Sequence, residues 1–100
     1  IIWSDLASGS LKEIYTFHKE VAGKSVADKL IAGIYKSTRQ LTDQPSSGQL
    51  EDLLKDFQQG HRYIVKGNYK IIYRKIDEGI LITDVFDTRQ NPEKINNPNR

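Results

Sequence analysis

The stretch that decides the fold runs from His61 to Phe86 and reads HRYIVKGNYKIIYRKIDEGILITDVF. It contains three segments rich in β-branched and aromatic residues, which favour strands. Gly67-Asn68 separates the first two segments, and both residue types accept the positive φ of a two-residue hairpin turn. Asp77-Glu78-Gly79 separates the second segment from the third. The pattern predicts a three-stranded antiparallel meander.

The first part of the chain has helical periodicity instead. Apolar residues recur at spacings of three and four over roughly residues 5–21, which predicts an amphipathic helix that Gly23 ends. A second apolar stripe follows from Val26 to Leu41, with Ser25 and Asp28 in the arrangement of a capping box. Because the linker between the two stripes is very short, the helices should pack as an antiparallel hairpin.

The remaining segments complete the predicted order of elements. Residues 1–3 resemble the end of a strand, residues 43–48 have the composition of a loop, and residues 50–57 could add helical turns. The order strand–helix–helix–strand–strand–strand predicts an α+β fold, with an antiparallel helix hairpin packed on one face of a small antiparallel sheet. We expect one domain over residues 1–92 and a flexible C-terminal tail over residues 93–100.

Composition excludes several classes of function. The chain is 37% hydrophobic and 28% charged, which is typical of a globular protein. It has no cysteine, which excludes thiolate chemistry and suits a reducing cytoplasm. Its apolar runs are too short to cross a membrane. We interpret His18 as a half-buried packing residue and His61 as a surface residue. The two lack the spacing of metal ligands, so we predict neither a metal site nor a cofactor.

Positive charge is concentrated late in the chain. Residues 1–60 carry seven Lys/Arg against eight Asp/Glu, whereas residues 61–100 carry eight against five. The basic strip consists of Arg62, Lys66, Lys70, Arg74 and Lys75. We expect its first four members to gather on the sheet face away from the helices, where they could attract phosphate or an acidic protein. The alternatives are that they are ordinary solvated strand positions, or that Arg62 pairs with Asp84 or Asp87 across the sheet.

Two motifs resemble those of RelE/ParE toxins. The segment Arg62–Tyr73 is similar to their strand-turn-strand pattern R-x-x-x-x-G-x-Y-R/K-I-x-Y, and Val85–Pro92 is similar to their closing V-x-x-x-R-x-x-P. The helical hairpin and the loop after it also fall in the order that this family shows. The resemblance therefore covers nearly the whole chain.

The resemblance implies a toxin neutralised by a cognate antitoxin. RelE-like members cleave mRNA in the ribosomal A site, whereas ParE-like members inhibit DNA gyrase. For cleavage, the matching cations Arg62, Arg74 and Arg89 would stabilise charge on the phosphate. The residues expected to contact a target protein or RNA are Lys66, Lys70, Tyr73 and Lys75.

One departure from the family favours the ParE-like interpretation. Many of the nucleases carry a His or Tyr as acid or base near the C-terminal end, and this chain has neither after Tyr73. We therefore expect a toxin that binds and inhibits a target such as gyrase. A ribosome-dependent endoribonuclease and an inactive homologue that only binds antitoxin are the alternatives. Whether the chain forms a homodimer stays open.

Overall fold

The chain folds as two helices packed on a five-stranded sheet, and the computed structural model describes residues 1–96. The helices are α1 (Asp5–Ala22) and α2 (Lys24–Arg39). The strands are β1 (Ile2–Trp3), β2 (Gln49–Leu50), β3 (Arg62–Lys66), β4 (Tyr69–Ile76) and β5 (Gly79–Asp87). Short 3₁₀ helices span Gln40–Thr42, Asp52–Phe57 and Pro92–Asn96. The α+β prediction is confirmed.

The sheet has the order β1-β5-β4-β3-β2 and is mixed rather than purely antiparallel. The meander β3-β4-β5 forms as predicted, with Gly67 at a φ of 59° in its first turn. Strand β1, however, pairs in parallel with β5. Strand β2 adds a fifth, antiparallel member beside β3. The helical turns expected over residues 50–57 form as the 3₁₀ helix Asp52–Phe57. Two residues are too few to show a period, so sequence could not reveal β2 or the direction of β1.

A side chain caps the N-terminus of α1, whereas the side-chain cap predicted for α2 does not form. The Ser4 hydroxyl caps α1 by accepting a hydrogen bond from the Ala7 amide at 3.0 Å. Helix α2 begins at Lys24 with Gly23 as its N-cap and has no side-chain cap. The predicted capping box is therefore wrong. The Asp28 carboxylate instead accepts hydrogen bonds from Lys24 at 2.6 Å and from Tyr15 at 3.1 Å.

A β-bulge at Thr83 changes which side chains of β5 face the helices. Ile72 pairs with Asp84, but the next residue of β4, Tyr73, pairs with Ile82, so Thr83 is skipped. Side chains of β5 therefore do not alternate strictly between the two faces. Ile82 and Val85 both face the helices, although one is at an even and the other at an odd position.

The sheet consequently has an apolar cluster on each face. On the helix face, which α1 and α2 cover, the buried members are Ala7, Leu11, Ile34, Leu41, Tyr69, Ile71, Tyr73, Ile80, Ile82 and Val85. On the opposite face, called the outer face below, Ile72 and Phe86 pack with Leu54 and Ile95 from two 3₁₀ helices. The face expected to be open is thus partly covered. Part of the segment expected to be a flexible tail joins the fold through Ile95, and residues 97–100 lie outside the described residues.

Tyr73 fastens the loop that precedes β2 to the centre of the sheet. Its ring is 1% exposed, and its hydroxyl donates to the Pro45 carbonyl at 2.7 Å and accepts from the Gly48 amide at 2.9 Å. A Cβ at Gly48 would lie 2.6 Å from that hydroxyl oxygen and 2.7 Å from the Tyr63 carbonyl oxygen. Arg62 donates a further hydrogen bond to the Gly48 carbonyl at 2.8 Å. The loop therefore requires glycine at this position.

The substitution Tyr73→Phe should lower the free energy of unfolding by about 2 kcal/mol, because it leaves the Gly48 amide without a partner. Urea denaturation of the purified protein measures the change. Tyr35→Phe on the exposed side of α2 is the matched control and should leave stability nearly unchanged. Equal effects of the two substitutions would contradict the role assigned to the Tyr73 hydroxyl.

Candidate functional site

The strand register separates the basic strip into two groups on opposite faces. Arg62 pairs with Tyr73 and Lys66 pairs with Tyr69, so both basic residues lie on the helix face. Lys70 pairs with Phe86 on the outer face, and Arg74, four residues further along β4, shares that face. The expectation that Arg62, Lys66, Lys70 and Arg74 share one face is therefore wrong. Side chains alternate across a strand, and only the register assigns each position to a face.

The basic residues on the helix face are partly occupied by contacts within the protein. Arg62 donates to the Gly48 carbonyl, and Asp87, one of the two aspartates proposed as its partner, is bound by Arg89 instead. Lys66 lies against α2, since its Cε is 2.9 Å from where a Cβ of Gly33 would be. Lys75 is exposed and pairs with Ile80 towards the other end of β4. Tyr73, also expected to contact a target, is enclosed by the loop that it fastens.

On the outer face, Lys70 is neutralised by a buried carboxylate. Its ammonium lies 2.9 Å from a carboxylate oxygen of Glu51, which is only 4% exposed. The same ammonium lies 4.2 Å from the centroid of the Tyr63 ring. A buried carboxylate needs such a partner, so Lys70 serves the fold of the 51–57 segment before any ligand.

His61 lies beside Arg74 on the outer face and is half-buried, not the surface residue that the sequence suggested. Its Nδ1 is buried and has no hydrogen-bond partner among the described residues. Burial lowers the pKa of His61, and the positive charge of Arg74 lowers it further. A cavity of about 210 Å³ adjoins the ring, with Phe57, Asp84 and Ile95 in its lining.

A larger cleft, of about 450 Å³, opens between α1 and the end of β5. One wall is a stripe along α1, and the opposite wall is formed by β5 and the residues after it. Buried Tyr69 and Val85 contribute to the lining. The α1 stripe consists of Asp5, Leu6, Gly9, Ser10, Glu13, Ile14 and Phe17. The volume of the cleft lies within the range of about 300–1,000 Å³ that is usual for ligand pockets.

Four polar side chains meet at one end of this cleft. His18 Nε2 lies 2.8 Å from the Tyr69 hydroxyl, and Arg89 clasps the Asp87 carboxylate with two side-chain hydrogen bonds of 2.9 and 2.8 Å. Asp87 pairs with Tyr69 across β4 and β5. His18 was expected only to pack half-buried. Its partner is 51 residues away in the chain, so nothing in the sequence pointed to this cluster.

The electrostatics of this cluster keep Asp87 ionised and Tyr69 protonated near neutral pH. The hydrogen bond from Arg89 holds the pKa of Asp87 below its ordinary value, so the carboxylate is ionised. Burial raises the pKa of Tyr69, so the phenol keeps its proton. Arg89 is thereby occupied by a carboxylate rather than presented to an incoming anion.

The three arginines expected to act together are not brought together. Arg62 and Arg89 lie on the helix face towards opposite ends of the sheet. Arg62 pairs with Tyr73, and Arg89 binds Asp87, which pairs with Tyr69. Tyr69 and Tyr73 are roughly 13 Å apart along β4, at the usual rise of ~3.3 Å per strand residue. Arg74 points to the outer face. Cations can stabilise one phosphorane only when they converge on it, and these do not.

Comparison with known proteins identifies the family of this fold. Residues 1–92 match the family model described as the ParE toxin of the type II toxin–antitoxin system parDE. The chain belongs to the ParE toxin family. A solved structure titled "Chromosomal ParDE TA system from P. aeruginosa" resembles it with a TM-score of 0.71 and 18% identity, covering 85% of this chain and 90% of the other. At that identity the likeness shows the shared fold. Among curated proteins, no sequence matches.

Two further properties of this ParE family member concern membranes and metals. Within residues 1–96, no helix is long and apolar enough to cross a membrane. In the same described range, no group of three or more His, Cys, Asp or Glu side chains could hold a metal ion. The features that bear on function are the cleft between α1 and β5, His61 on the outer face and the distribution of charge.

The buried position of His61 predicts a pH dependence of stability. Its folded-state pKa lies below the unfolded value, so the unfolded chain binds more protons around pH 6. This contribution to stability is full above the unfolded pKa and falls as the pH drops below it. Urea midpoints measured between about pH 7.5 and about pH 5.5 should therefore fall more steeply for the natural protein than for His61→Gln. Identical slopes would contradict the prediction.

Proposed function

We propose that this ParE family member arrests bacterial growth by binding and inhibiting DNA gyrase, and that a cognate antitoxin in the cytoplasm neutralises it. The observation that carries the proposal is the internal use of the charges expected to contact nucleic acid. Arg62 binds a loop carbonyl, Lys70 binds Glu51 and Arg89 binds Asp87. Such an arrangement favours action through protein contacts over cleavage of a phosphodiester.

The surface offers apolar side chains for such contacts. Phe17 and Val21 on α1 and Tyr35 on α2 are large and exposed, as are Phe57 and Val65 near the outer face. Aromatic residues of this kind are enriched at the centres of protein interfaces. The similar solved structure is that of a ParDE toxin–antitoxin system, which supports an antitoxin as one of the partners.

The second candidate is a RelE-like endoribonuclease, and His61 is the observation that favours it. A half-buried histidine with a lowered pKa is mostly neutral near pH 7, and this imidazole lines the outer-face cavity, from which it could accept the proton of a 2′-hydroxyl. Arg74 beside it would stabilise charge on the phosphate. This hypothesis replaces the arginine trio by His61 and Arg74, which the strand register brings to one face.

Expression of the chain from a tightly controlled promoter separates the candidates. We expect growth arrest, loss of DNA supercoiling by purified gyrase, and cellular mRNA with unchanged 5′ ends. Co-expression of the antitoxin encoded by the adjacent gene should restore growth. Growth without arrest would leave the inactive homologue as the explanation.

Matched variants make the test specific. His61→Ala and Arg74→Ala should keep gyrase inhibition if the first candidate holds. Codon-phased cleavage of mRNA that both substitutions abolish would overturn it in favour of the nuclease. Lys75→Ala serves as the control, because it removes an exposed strip cation without altering the His61 environment.

A further inference from the structure

Gly9 lies inside α1, where the chain itself gives no reason for glycine. Glycine is among the poorest helix formers because it loses the most backbone freedom on folding. A Cβ built at Gly9 would have no atom of this protein within 4 Å. Gly9 lines the cleft between α1 and β5, so the open space above it is the cleft itself.

At two other glycines, a neighbouring side chain of the same protein explains why no side chain is present. A Cβ at Gly33, in α2, would lie 2.9 Å from the Cε of Lys66. A Cβ at Gly48 would lie 2.6 Å from the Tyr73 hydroxyl oxygen. In both cases a neighbour within the fold occupies the space that a side chain would take. At Gly9 the space is left for something outside the chain.

The charge of the cleft indicates what could occupy it. Asp5 and Glu13 lie in its lining, are exposed, and have no ion-pair partner within residues 1–96. Asp87 is neutralised by Arg89, so the cleft keeps two carboxylates without an ion-pair partner in the described residues, on a chain whose formal net charge is +2. An acidic cleft repels nucleic acid and attracts lysine or arginine side chains.

Apolar side chains on the same wall indicate a second requirement. Leu6 is 43% exposed and Phe17 is 51% exposed, and both line the cleft from α1. They lie on either side of Gly9 along the helix. A large apolar side chain inserted beside Gly9 would bury Leu6, which lies about one turn away. A second apolar side chain of the same segment would bury Phe17, which lies about 12 Å from Gly9 along the helix axis. Burial of that kind is the main source of binding energy in such grooves.

We propose that this cleft receives a segment of the antitoxin whose backbone passes close to Gly9, with one large apolar side chain against Leu6, a second against Phe17, and lysine or arginine side chains facing Asp5 and Glu13. The proposal rests on the function proposed above, since it assumes an antitoxin partner. It assigns a pocket and a chemical pattern to that partner. The absent side chain at Gly9 is what lets the two backbones approach.

The first test fills the space above Gly9. The Gly9→Leu variant should bind the purified antitoxin encoded by the adjacent gene at least about tenfold more weakly, measured by calorimetry. Ala32→Leu is the matched control, because Ala32 is exposed on α2 and does not line the cleft. It should bind as the natural protein does.

A companion variant separates binding from folding. Gly9→Ala should raise the midpoint of thermal unfolding by roughly 4 °C, because alanine is the better helix former and its Cβ meets nothing in this chain. An unchanged or lower midpoint would mean that glycine serves the fold of α1, and the inference would fall.

The second test reverses charge without filling the cleft. Glu13→Lys should weaken antitoxin binding by about tenfold at low salt, and less at high salt because ions screen the interaction. Glu20→Lys makes the same change on α1 outside the cleft and should have little effect. Since Glu13 is exposed, this variant should fold even if Gly9→Leu does not.

The outcomes distinguish the inference from the function on which it rests. If the natural protein fails to bind the antitoxin, both the proposed partner and the inference are wrong. If it binds, and Glu13→Lys together with the folded Gly9 variant bind equally well, only the inference is wrong. Weaker binding by Glu13→Lys with normal binding by Glu20→Lys supports the acidic cleft as the docking site.

Discussion

Strand β4 is buried on both faces, and the skipped residue Thr83 in β5 decides which neighbouring side chains reach each face. Because of this bulge, Val85 joins the core beneath the helices, while Phe86 anchors a second cluster with two 3₁₀ helices. The same shift directs Asp87 towards Tyr69 and therefore towards the cleft. Without the bulge, the residues after Thr83 would exchange faces, and neither cluster could form as observed.

Several charged side chains that the sequence suggests for ligand binding form ion pairs or hydrogen bonds within the fold instead. Glu51 is buried and needs Lys70, and the loop before β2 needs Arg62 to hold its carbonyl. An ion pair between Asp87 and Arg89 occupies the guanidinium nearest the cleft. What remains is an acidic cleft on a protein of net positive charge. Local charge, and not the overall balance, governs which partner can dock at a given surface.

Family membership and site chemistry answer different questions about this chain. The ParE match and the shared fold establish what kind of protein it is. Folds of one family can act on different targets, so function has to be argued from particular side chains. Here the two informative residues are His61 and Gly9, and neither attracts attention as a motif. One is notable for an unpartnered buried nitrogen, and the other for a side chain that is missing where nothing excludes it.

The sequence by itself determined the helical hairpin, the meander and its first turn, since these follow from local periodicity and from glycine at Gly67. It also determined the family, through motifs that lie within single strands and turns. Only the tertiary structure decided the direction of β1, the bulge at Thr83 and the separation of the basic residues onto two faces. It alone brought His18 to Tyr69 and left Gly9 facing empty space. The physical reason is register: hydrogen bonds between strands distant in the chain set which side chains meet, and local sequence does not encode that pairing.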